Sequence, residues 1–338
     1  MYFDTYVLAM GRTGANAIGE IFNCHPDINL PTVVLNDLAI NYHRLFAGPT
    51  NRVNLYYQHT AKNAWHYPTV EPYLTRQRML HLVRHPFDNM RSIYNMNLYA
   101  AQIGTRNPMP EAAEFFSNIN EYAICNTLAT GVPLYQRFSQ VKCIEFNEMH
   151  SNLLPATAKA VYQWLGLDPA RALPLERAHS YNDIMLLVTK QPLWLQLDSH
   201  YRLPLYVGYD QRQPGDGHEA ARGWSQYFRQ LASLDLSGTD HGRTLWLNQL
   251  QIWLNVPQLQ ALPSALQREF CQHAEQLIAA EFPRWVARLA ALDADARQGQ
   301  ISELPDIAKQ NILALCRPYL GEFYRRFPHI EAIWQLPS

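Results

Sequence analysis

The sequence predicts an α/β fold, a parallel sheet flanked by helices on both faces. Short apolar runs alternate with amphipathic helical segments up to Asp168, and this alternation is typical of parallel strands joined by helical crossovers. Ligands of such folds bind beyond the carboxyl ends of the strands. Gly11, His59 and Arg84 all fall at such ends, so we expect the functional site there.

The elements follow from apolar periodicity and from breaks at Gly and Pro. Strands are predicted over 5–10, 53–59, 79–83 and 141–146. Helices are predicted over 13–24, 37–46, 70–78, 86–103, 112–129 and 155–165. The strand signal disappears after Asp168, and residues 170–222 are predicted to be irregular because Pro and polar residues interrupt them repeatedly.

The C-terminal third carries a different pattern. Amphipathic helices rich in Trp, Leu and Phe are predicted over 224–233, 243–254, 264–292 and 306–326. We therefore predict an α/β domain over 1–225 and an extra C-terminal helical region over 226–338. These helices are expected to pack on the core or on a partner subunit, as in a homo-oligomer. A lid over the acceptor pocket is the alternative.

Composition narrows the function classes. The net charge of −1 and the pI near 6.9 provide no global basic field for nucleic acid or an anionic membrane. No apolar run approaches the ~20 residues that span a bilayer. Because the chain begins inside its first predicted strand, we expect no secretory signal in front of that strand. Five scattered cysteines predict neither a disulfide framework nor a metal site, so we expect a cytoplasmic protein without bound metal.

The first motif is a strand that stops at Gly11-Arg12-Thr13-Gly14-Ala15-Asn16 and then turns helical. In such a turn, backbone N–H groups and the positive helix end converge on one anion. The turn lacks the Gly-Lys-Ser/Thr ending of nucleotide triphosphatases, and with it the Mg²⁺-binding hydroxyl and the phosphate lysine. An ATPase or GTPase is therefore disfavoured.

The second motif lies in the segment from Leu80 to Ser92. Arg84 ends an apolar strand, Pro86 suits a first helical turn, and Ser92 follows eight positions after Arg84. An arginine at a strand end and a serine two helical turns later can face one phosphate together.

These two motifs resemble those of the sulfotransferases that use 3′-phosphoadenosine 5′-phosphosulfate (PAPS) as donor. In that family a loop of roughly Pro-Arg-Ser-Gly-Thr-Thr holds the 5′-phosphosulfate, and a later Arg-x-Pro-x-Asp-x-x-x-Ser holds the 3′-phosphate. The matching residues are Arg12, Thr13 and Gly14 in the first motif and Arg84, Pro86, Asp88 and Ser92 in the second.

Three further segments match the family in order. His25-Pro26-Asp27 is similar to the element that closes the family's first helix. Cys143–Met149 resembles its strand followed by Tyr-Glu-Asp-Leu, and Ala156–Asp168 resembles its helix ending in Phe-Leu-Gly-Leu. The resemblance covers the first half of the chain and implies the P-loop NTPase-like sulfotransferase fold.

The resemblance also implies a set of PAPS-binding residues. They are Gly11, Arg12, Thr13, Gly14, Ala15, Asn16, Arg84, Ser92, Phe146, Arg222 and Gly223. Ala15 and Asn16 replace two hydroxyl residues, and Ala15 removes a contact worth about 1–3 kcal/mol. Phe146 is either an adenine-stacking ring or an ordinary core residue. Arg222-Gly223 resembles an element that closes over the 3′-phosphate, and a helix start with a solvated arginine is the alternative.

Sulfuryl transfer requires charge stabilisation on the phosphate leaving group and removal of the acceptor proton. Arg12 and Lys62 are the candidates for charge stabilisation. His59 is the candidate general base, because an imidazole titrates near neutrality. His59 and Lys62 lie in two competing registers of one family element. The rival bases are Asp37, His43 and His66.

The leading hypothesis is a PAPS-dependent sulfotransferase that acts on a hydroxyl or amine of a small or medium acceptor and releases 3′,5′-adenosine bisphosphate. The alternative is a catalytically impaired module of the same fold that retains nucleotide or anion binding. A P-loop kinase is third, since no residue supports Mg²⁺-dependent ATP binding.

Overall fold

The computed structural model describes residues 3–29, 53–58, 67–102, 108–117, 126–150, 152–173, 193–196, 201–209, 228–245 and 249–336. The chain forms two compact units. The first unit comprises 1–95, 109–178 and 301–338, and the second comprises 96–108 and 179–300.

The described strands are β1 (Phe3–Leu8), β2 (Ile28–Asn29), β3 (Val53–Gln58), β4 (Leu74–Val83), β5 (Gln140–Glu145), β6 (Leu193–Gln196), β7 (Arg202–Tyr209), β8 (Phe228–Asp235) and β9 (Gln249–Asn255). The described helices are α1 (Ala15–Asn23), α2 (Tyr67–Val70), α3 (Pro86–Gln102), α4 (Ala112–Ser117), α5 (Thr127–Gly131), α6 (Leu154–Leu165), α7 (Asp240–Leu245), α8 (Val256–Gln260), α9 (Ser264–Arg297), α10 (Asp306–Arg326) and α11 (Pro328–Trp334).

The first unit contains a parallel five-stranded sheet in the order β2-β3-β1-β4-β5, which confirms the predicted α/β class with flanking helices. Alternate residues of the strands face opposite sides. On one side, Val7, Leu80 and Leu82 pack in an apolar cluster with α1 and α6. Because β1 and β4 are neighbours and run parallel, their carboxyl ends lie at the same edge of the sheet.

The opposite side of the sheet is aromatic and includes a buried histidine. His81 of β4 is fully buried, and its ring nitrogens lie 2.6 Å from the hydroxyls of Tyr135 and Thr127. Thr127 donates its hydrogen to the Leu82 carbonyl, so it must accept from Nε2–H of His81, and Tyr135 donates to Nδ1. Gly131 packs directly on this ring, since a Cβ there would lie 2.4 Å from Cε1.

The His-Pro-Asp segment ties the end of α1 to the residues after α6. The Nε2–H of His25 donates to the Asp168 carbonyl at 3.0 Å, and its Nδ1 accepts from the N–H of Asp27. The ring lies 4.8 Å from that of Tyr162, whose hydroxyl donates to the carbonyl of Ile21. These contacts give the segment a structural role at the far end of the first helix.

Two predicted helices of the first unit differ from the structure. The helix predicted over 70–78 is wrong, because α2 ends at Val70 and β4 begins at Leu74. Pro72 lies between them in a 3₁₀ turn and cannot continue an α-helix. The helix predicted over 112–129 is interrupted, since α4 ends at Ser117 and Asn126 caps a new helix start. The helical stretch predicted over 37–46 lies outside the described residues.

The second unit contains an antiparallel sheet in the order β6-β7-β9-β8. The helix predicted over 224–233 is therefore wrong in its described part, 228–233, which belongs to β8. Of the helix predicted over 243–254, residues 243–245 are helical in α7, but residues 249–254 belong to β9. Leu250, Ile252 and Leu254 alternate with polar or half-exposed residues and pack in one cluster with residues of α9. This period of two is the strand pattern, and the richness of the segment in Trp and Leu obscured it.

The predicted division after residue 225 also differs from the two units. The second unit includes β6 and β7, which precede that boundary, while α10 and α11 belong to the first unit. The region from 226 to 338 therefore contributes to both units and contains strands as well as helices.

Within the described ranges no helix combines the length and apolarity that crossing a bilayer requires. In the same ranges no three His, Cys, Asp or Glu side chains are grouped to hold a metal ion. Of the described cysteines, Cys143 and Cys271 are free thiols.

Candidate anion site

The loop after β1 is a tight turn that delivers the chain into α1. The N–H and the hydroxyl of Thr13 both donate to the carbonyl of Met10, at 3.2 and 2.6 Å. Arg12 has a φ of 66° and Gly14 a φ of 95°, both in the left-handed region. Helix α1 begins at Ala15, one residue after this glycine. The first N–H groups of the helix therefore lie beside the Arg12 turn.

The loop is held by the helix that follows β4. The Nε–H of Arg12 donates to the Ser92 hydroxyl at 3.0 Å, and the Asn89 amide donates to the Gly11 carbonyl at 3.1 Å. Arg84 donates to the Arg12 carbonyl at 3.2 Å. The two motifs, about 80 residues apart in sequence, therefore meet at the carboxyl edge of the sheet.

Arg84 is a half-buried cation with charges of both signs near it, since Arg12 disfavours its charged form while Asp88 and Glu145 favour it. Burial, and then the positive charge of Arg12, lowers the pKa of Arg84 to about 10, so it stays protonated at neutral pH. Among the described residues its buried Nε has no hydrogen-bond partner and its guanidinium forms no ion pair with a carboxylate. Asp88, in the same turn, pairs with Arg91 at 2.8 Å instead.

Phe146 supports Arg84 and the first loop together. The Arg84 guanidinium carbon lies 3.9 Å from the centre of the Phe146 ring, a cation–π contact. Gly14 faces the same turn, since a Cβ added to it would lie 3.5 Å from both Phe146 and Met149. Arg84 therefore occupies one face of the ring, and only the other face is left for the predicted adenine stacking.

The turn that carries Phe146 is fixed by a capping box. The Glu145 carboxylate accepts from the N–H of Asn147 at 2.7 Å, and Glu148 accepts from the N–H of Glu145 at 2.9 Å. Glu145 is itself buried, with 2% of its surface exposed. A buried carboxylate thus holds the turn that supports the buried guanidinium.

The structure brings together most of the described residues that the sequence predicts for this site. Gly11, Arg12, Gly14, Arg84, Ser92 and Phe146 contact one another directly or through one neighbour.

Two predicted loop residues contribute differently from expectation. Both donors of Thr13 are used by the Met10 carbonyl, so its N–H is not offered to a ligand in this conformation. Ala15 is buried in the apolar cluster and presents only its backbone to the site. The backbone of Asn16 lies in the first turn of α1.

The predicted catalytic residues His59 and Lys62 lie outside the described residues. The same holds for Arg222 and Gly223, and for the rival bases Asp37, His43 and His66. Their roles stay predictions from the sequence.

Asn89 is a site residue that the sequence reading missed. It lies three positions before Ser92, which places both on one face of the helix, and this spacing is the signal that could have found it. Its side-chain oxygen is buried and has no hydrogen-bond partner within the described chain.

Together these residues place two guanidinium groups, one hydroxyl and a helix start at the carboxyl edge of a parallel sheet. This chemistry suits a phosphate or sulfate group. Fold and geometry thus define the class: an α/β protein with a candidate anion site at the carboxyl edge of its parallel sheet.

Comparisons with known proteins find neither a matching family model nor a matching curated protein. Two solved structures that match are sulfotransferases. The mouse sulfotransferase SULT7A1 complexed with PAP is 18% identical, with a TM-score of 0.37, and the match covers 49% of this chain and 59% of that one. The sulfotransferase from Alicyclobacillus acidocaldarius is 14% identical, with a TM-score of 0.38, and the match covers 56% of this chain and 90% of that one.

The match thus spans less than two thirds of the mouse protein. Both TM-scores are below 0.5, so these likenesses do not establish an activity for this chain.

Proposed function

We propose that this protein binds a 3′-phosphorylated adenosine nucleotide and transfers the sulfuryl group of PAPS to a hydroxyl or amine of a small or medium acceptor. The observation that carries the proposal is the meeting of Arg12, Arg84 and Ser92 at the carboxyl edge of the sheet. Arg84 supplies a half-buried cation whose Nε is buried and which forms no ion pair with a carboxylate in the described part of the chain.

Electrostatics supports an anionic ligand at this point. Two guanidinium groups lie close together and partly desolvated, and their mutual repulsion contributes to the lowered pKa of Arg84. Asp88 and Glu145 offset part of this cost without forming an ion pair with Arg84, and a bound anion would offset more of it. A nucleotide with anionic groups at both its 3′ and 5′ positions matches two neighbouring cations.

Each described residue has a definite task in this proposal. Arg84, held by Phe146, and Ser92 bind the 3′-phosphate. Arg12 and the first N–H groups of α1 bind the 5′ side, where negative charge develops on the leaving phosphate as the sulfuryl group departs. When bound, PAPS supplies the activated sulfuryl group. His59 as general base and Lys62 as a further cation complete the scheme, which assigns charge stabilisation to side chains and includes no metal.

A second candidate function is binding without turnover. The observation that favours it is Ala15, whose methyl group packs in the apolar cluster at a position where the sulfotransferase loop carries a hydroxyl. Such a protein would keep the arginines and the helix start but lack one contact to the transferred group.

Titration calorimetry with 3′,5′-adenosine bisphosphate and with adenosine 5′-monophosphate tests the binding step. We expect the bisphosphate to bind at least about tenfold more tightly, as a charge-assisted phosphate contact warrants. Arg84→Ala should remove this preference. Arg137→Ala is the matched control, because Arg137 is an exposed arginine of the same unit that pairs with Glu71. Equal affinity of the wild-type protein for both nucleotides would refute the proposal.

Transfer of labelled sulfate from PAPS to a panel of alcohols, phenols and amines tests the chemical step. Turnover that is lost in Arg12→Ala supports the enzyme. Tight binding of the bisphosphate with no transfer to any acceptor supports the second candidate.

A further inference from the structure

Trp334 lies at the end of α11, the last helix of the chain, and its side chain is buried with 4% of its surface exposed. Its ring stacks on that of Phe323 at 5.3 Å, which anchors it to α10. Beyond this packing, Trp334 contacts Glu145, the residue before Phe146, and His85, the residue after Arg84.

The first contact is with Glu145 at the end of β5. The indole N–H of Trp334 donates to Oε1 of Glu145 at 3.4 Å. The other carboxylate oxygen accepts from the N–H of Asn147 and so caps the turn that begins at Phe146. Trp334 therefore holds the Glu145 carboxylate, which in turn holds the turn at Phe146. This turn lies against Arg84 and Gly14.

The second contact is with His85, directly after Arg84. The two rings meet edge to face at 5.9 Å. Nδ1 of His85 accepts from the N–H of Phe87, and its carbonyl accepts from the N–H of Asn89, so His85 forms the start of α3. That helix carries Ser92, which binds Arg12. Trp334 thus also supports the second corner of the site.

We propose that Trp334 is a positioning residue of the nucleotide site, which holds Arg84, through Glu145 and His85, in the orientation that binds the 3′-phosphate. This inference rests on the proposed function. The indole contacts no atom of the loop itself in the interactions described, so it acts only through the two residues that flank the site. Because a phenylalanine ring can keep the stacking but cannot donate to Glu145, the N–H is the group to remove.

Trp334→Phe is the variant to test, because it preserves the aromatic packing on Phe323 and His85. Trp164→Phe is the matched control: this half-buried tryptophan belongs to α6 and packs against the apolar cluster of the same unit. Thermal denaturation establishes that both variants fold. Affinities for 3′,5′-adenosine bisphosphate and adenosine 5′-monophosphate are then measured for each.

We expect Trp334→Phe to reduce the preference for the bisphosphate roughly threefold to tenfold, as for the loss of one hydrogen bond of ordinary net strength. A general loss of stability would not change this ratio in the folded protein. The control should keep the wild-type ratio. An unchanged ratio in Trp334→Phe would overturn the proposal.

Backbone hydrogen exchange without nucleotide separates this inference from the proposed function. In Trp334→Phe the N–H of Asn147, which bonds to Glu145, should exchange faster than in the wild type. The N–H of Phe87, which bonds to His85, should exchange at the wild-type rate, because the variant keeps the ring contact with His85. If the wild-type protein binds neither nucleotide, the proposed function fails, and the exchange at Asn147 alone decides the positioning role. Unchanged exchange at Asn147 would overturn it.

Discussion

Burial of His81 makes the stability of the protein depend on pH in a defined direction. Burial lowers the pKa of His81 from 6.5 to about 3, so the folded protein holds this ring neutral. Between these values the unfolded chain binds a proton that the folded chain excludes. The contribution is therefore fully present above pH 6.5 and is lost as the pH falls from 6.5 toward 3.

The size of the effect follows from the same two pKa values. Each unit is worth about 1.4 kcal/mol, so the loss is about 2 kcal/mol at pH 5 and approaches about 5 kcal/mol near pH 3. Urea denaturation at pH 7.5 and pH 5 measures it. His81→Gln serves as the comparison, since Gln keeps a donor and an acceptor for Thr127 and Tyr135 but does not titrate.

The contribution of His81 is the difference between the two proteins in how much their free energy of unfolding changes with pH. The pKa of His85 is also lowered, chiefly by burial, but this group titrates alike in wild type and variant and cancels. We expect the wild-type protein to lose about 2 kcal/mol more than His81→Gln between pH 7.5 and pH 5. The same loss in both proteins would show that His81 is not held neutral, and the burial argument would fail.

Three further outcomes follow from contacts near the sheet. Gly131→Ala should lower the free energy of unfolding by about 2–3 kcal/mol, because its Cβ would lie 2.4 Å from the His81 ring; an unchanged denaturation midpoint would show that α5 can shift. In calorimetry Ser92→Ala should weaken binding of 3′,5′-adenosine bisphosphate about threefold to tenfold more than binding of adenosine 5′-monophosphate, which loses only the contact of Ser92 with Arg12; equal losses for both nucleotides would exclude a contact of Ser92 with the 3′-phosphate. Arg84→Lys should weaken the bisphosphate more than about tenfold, since lysine lacks the planar fork that lies over Phe146; wild-type affinity would mean that a point charge suffices.

The two strand-to-helix corners could be predicted because their signals are local. An apolar run before Gly11 and another before Arg84 predict strands, and Pro86 marks the helix start between Arg84 and Ser92. Parallel strands then place both ends at one edge. Local patterns therefore contain the information that brings Arg12 and Arg84 together.

Contacts between distant parts of the chain could not be predicted in this way. Trp334 and Glu145 are 189 positions apart, and nothing in a terminal amphipathic helix indicates which carboxylate its indole meets. The cation–π contact of Arg84 with Phe146 is equally hidden, because a phenylalanine after a strand is an ordinary core residue by pattern. In the second unit Leu250, Ile252 and Leu254 alternate as in a strand, but the Trp and Leu content of the segment is equally typical of an amphipathic helix.

The backbone conformation of Arg12 is unfavourable for any residue that carries a side chain. A side chain in the left-handed region costs about 1 kcal/mol, and glycine adopts that conformation freely. Arg12→Gly would therefore relax the turn and raise its intrinsic stability, while it removes one of the two guanidinium groups from the sheet edge. At position 12 the most stable turn requires glycine, whereas a second guanidinium group at the sheet edge requires arginine.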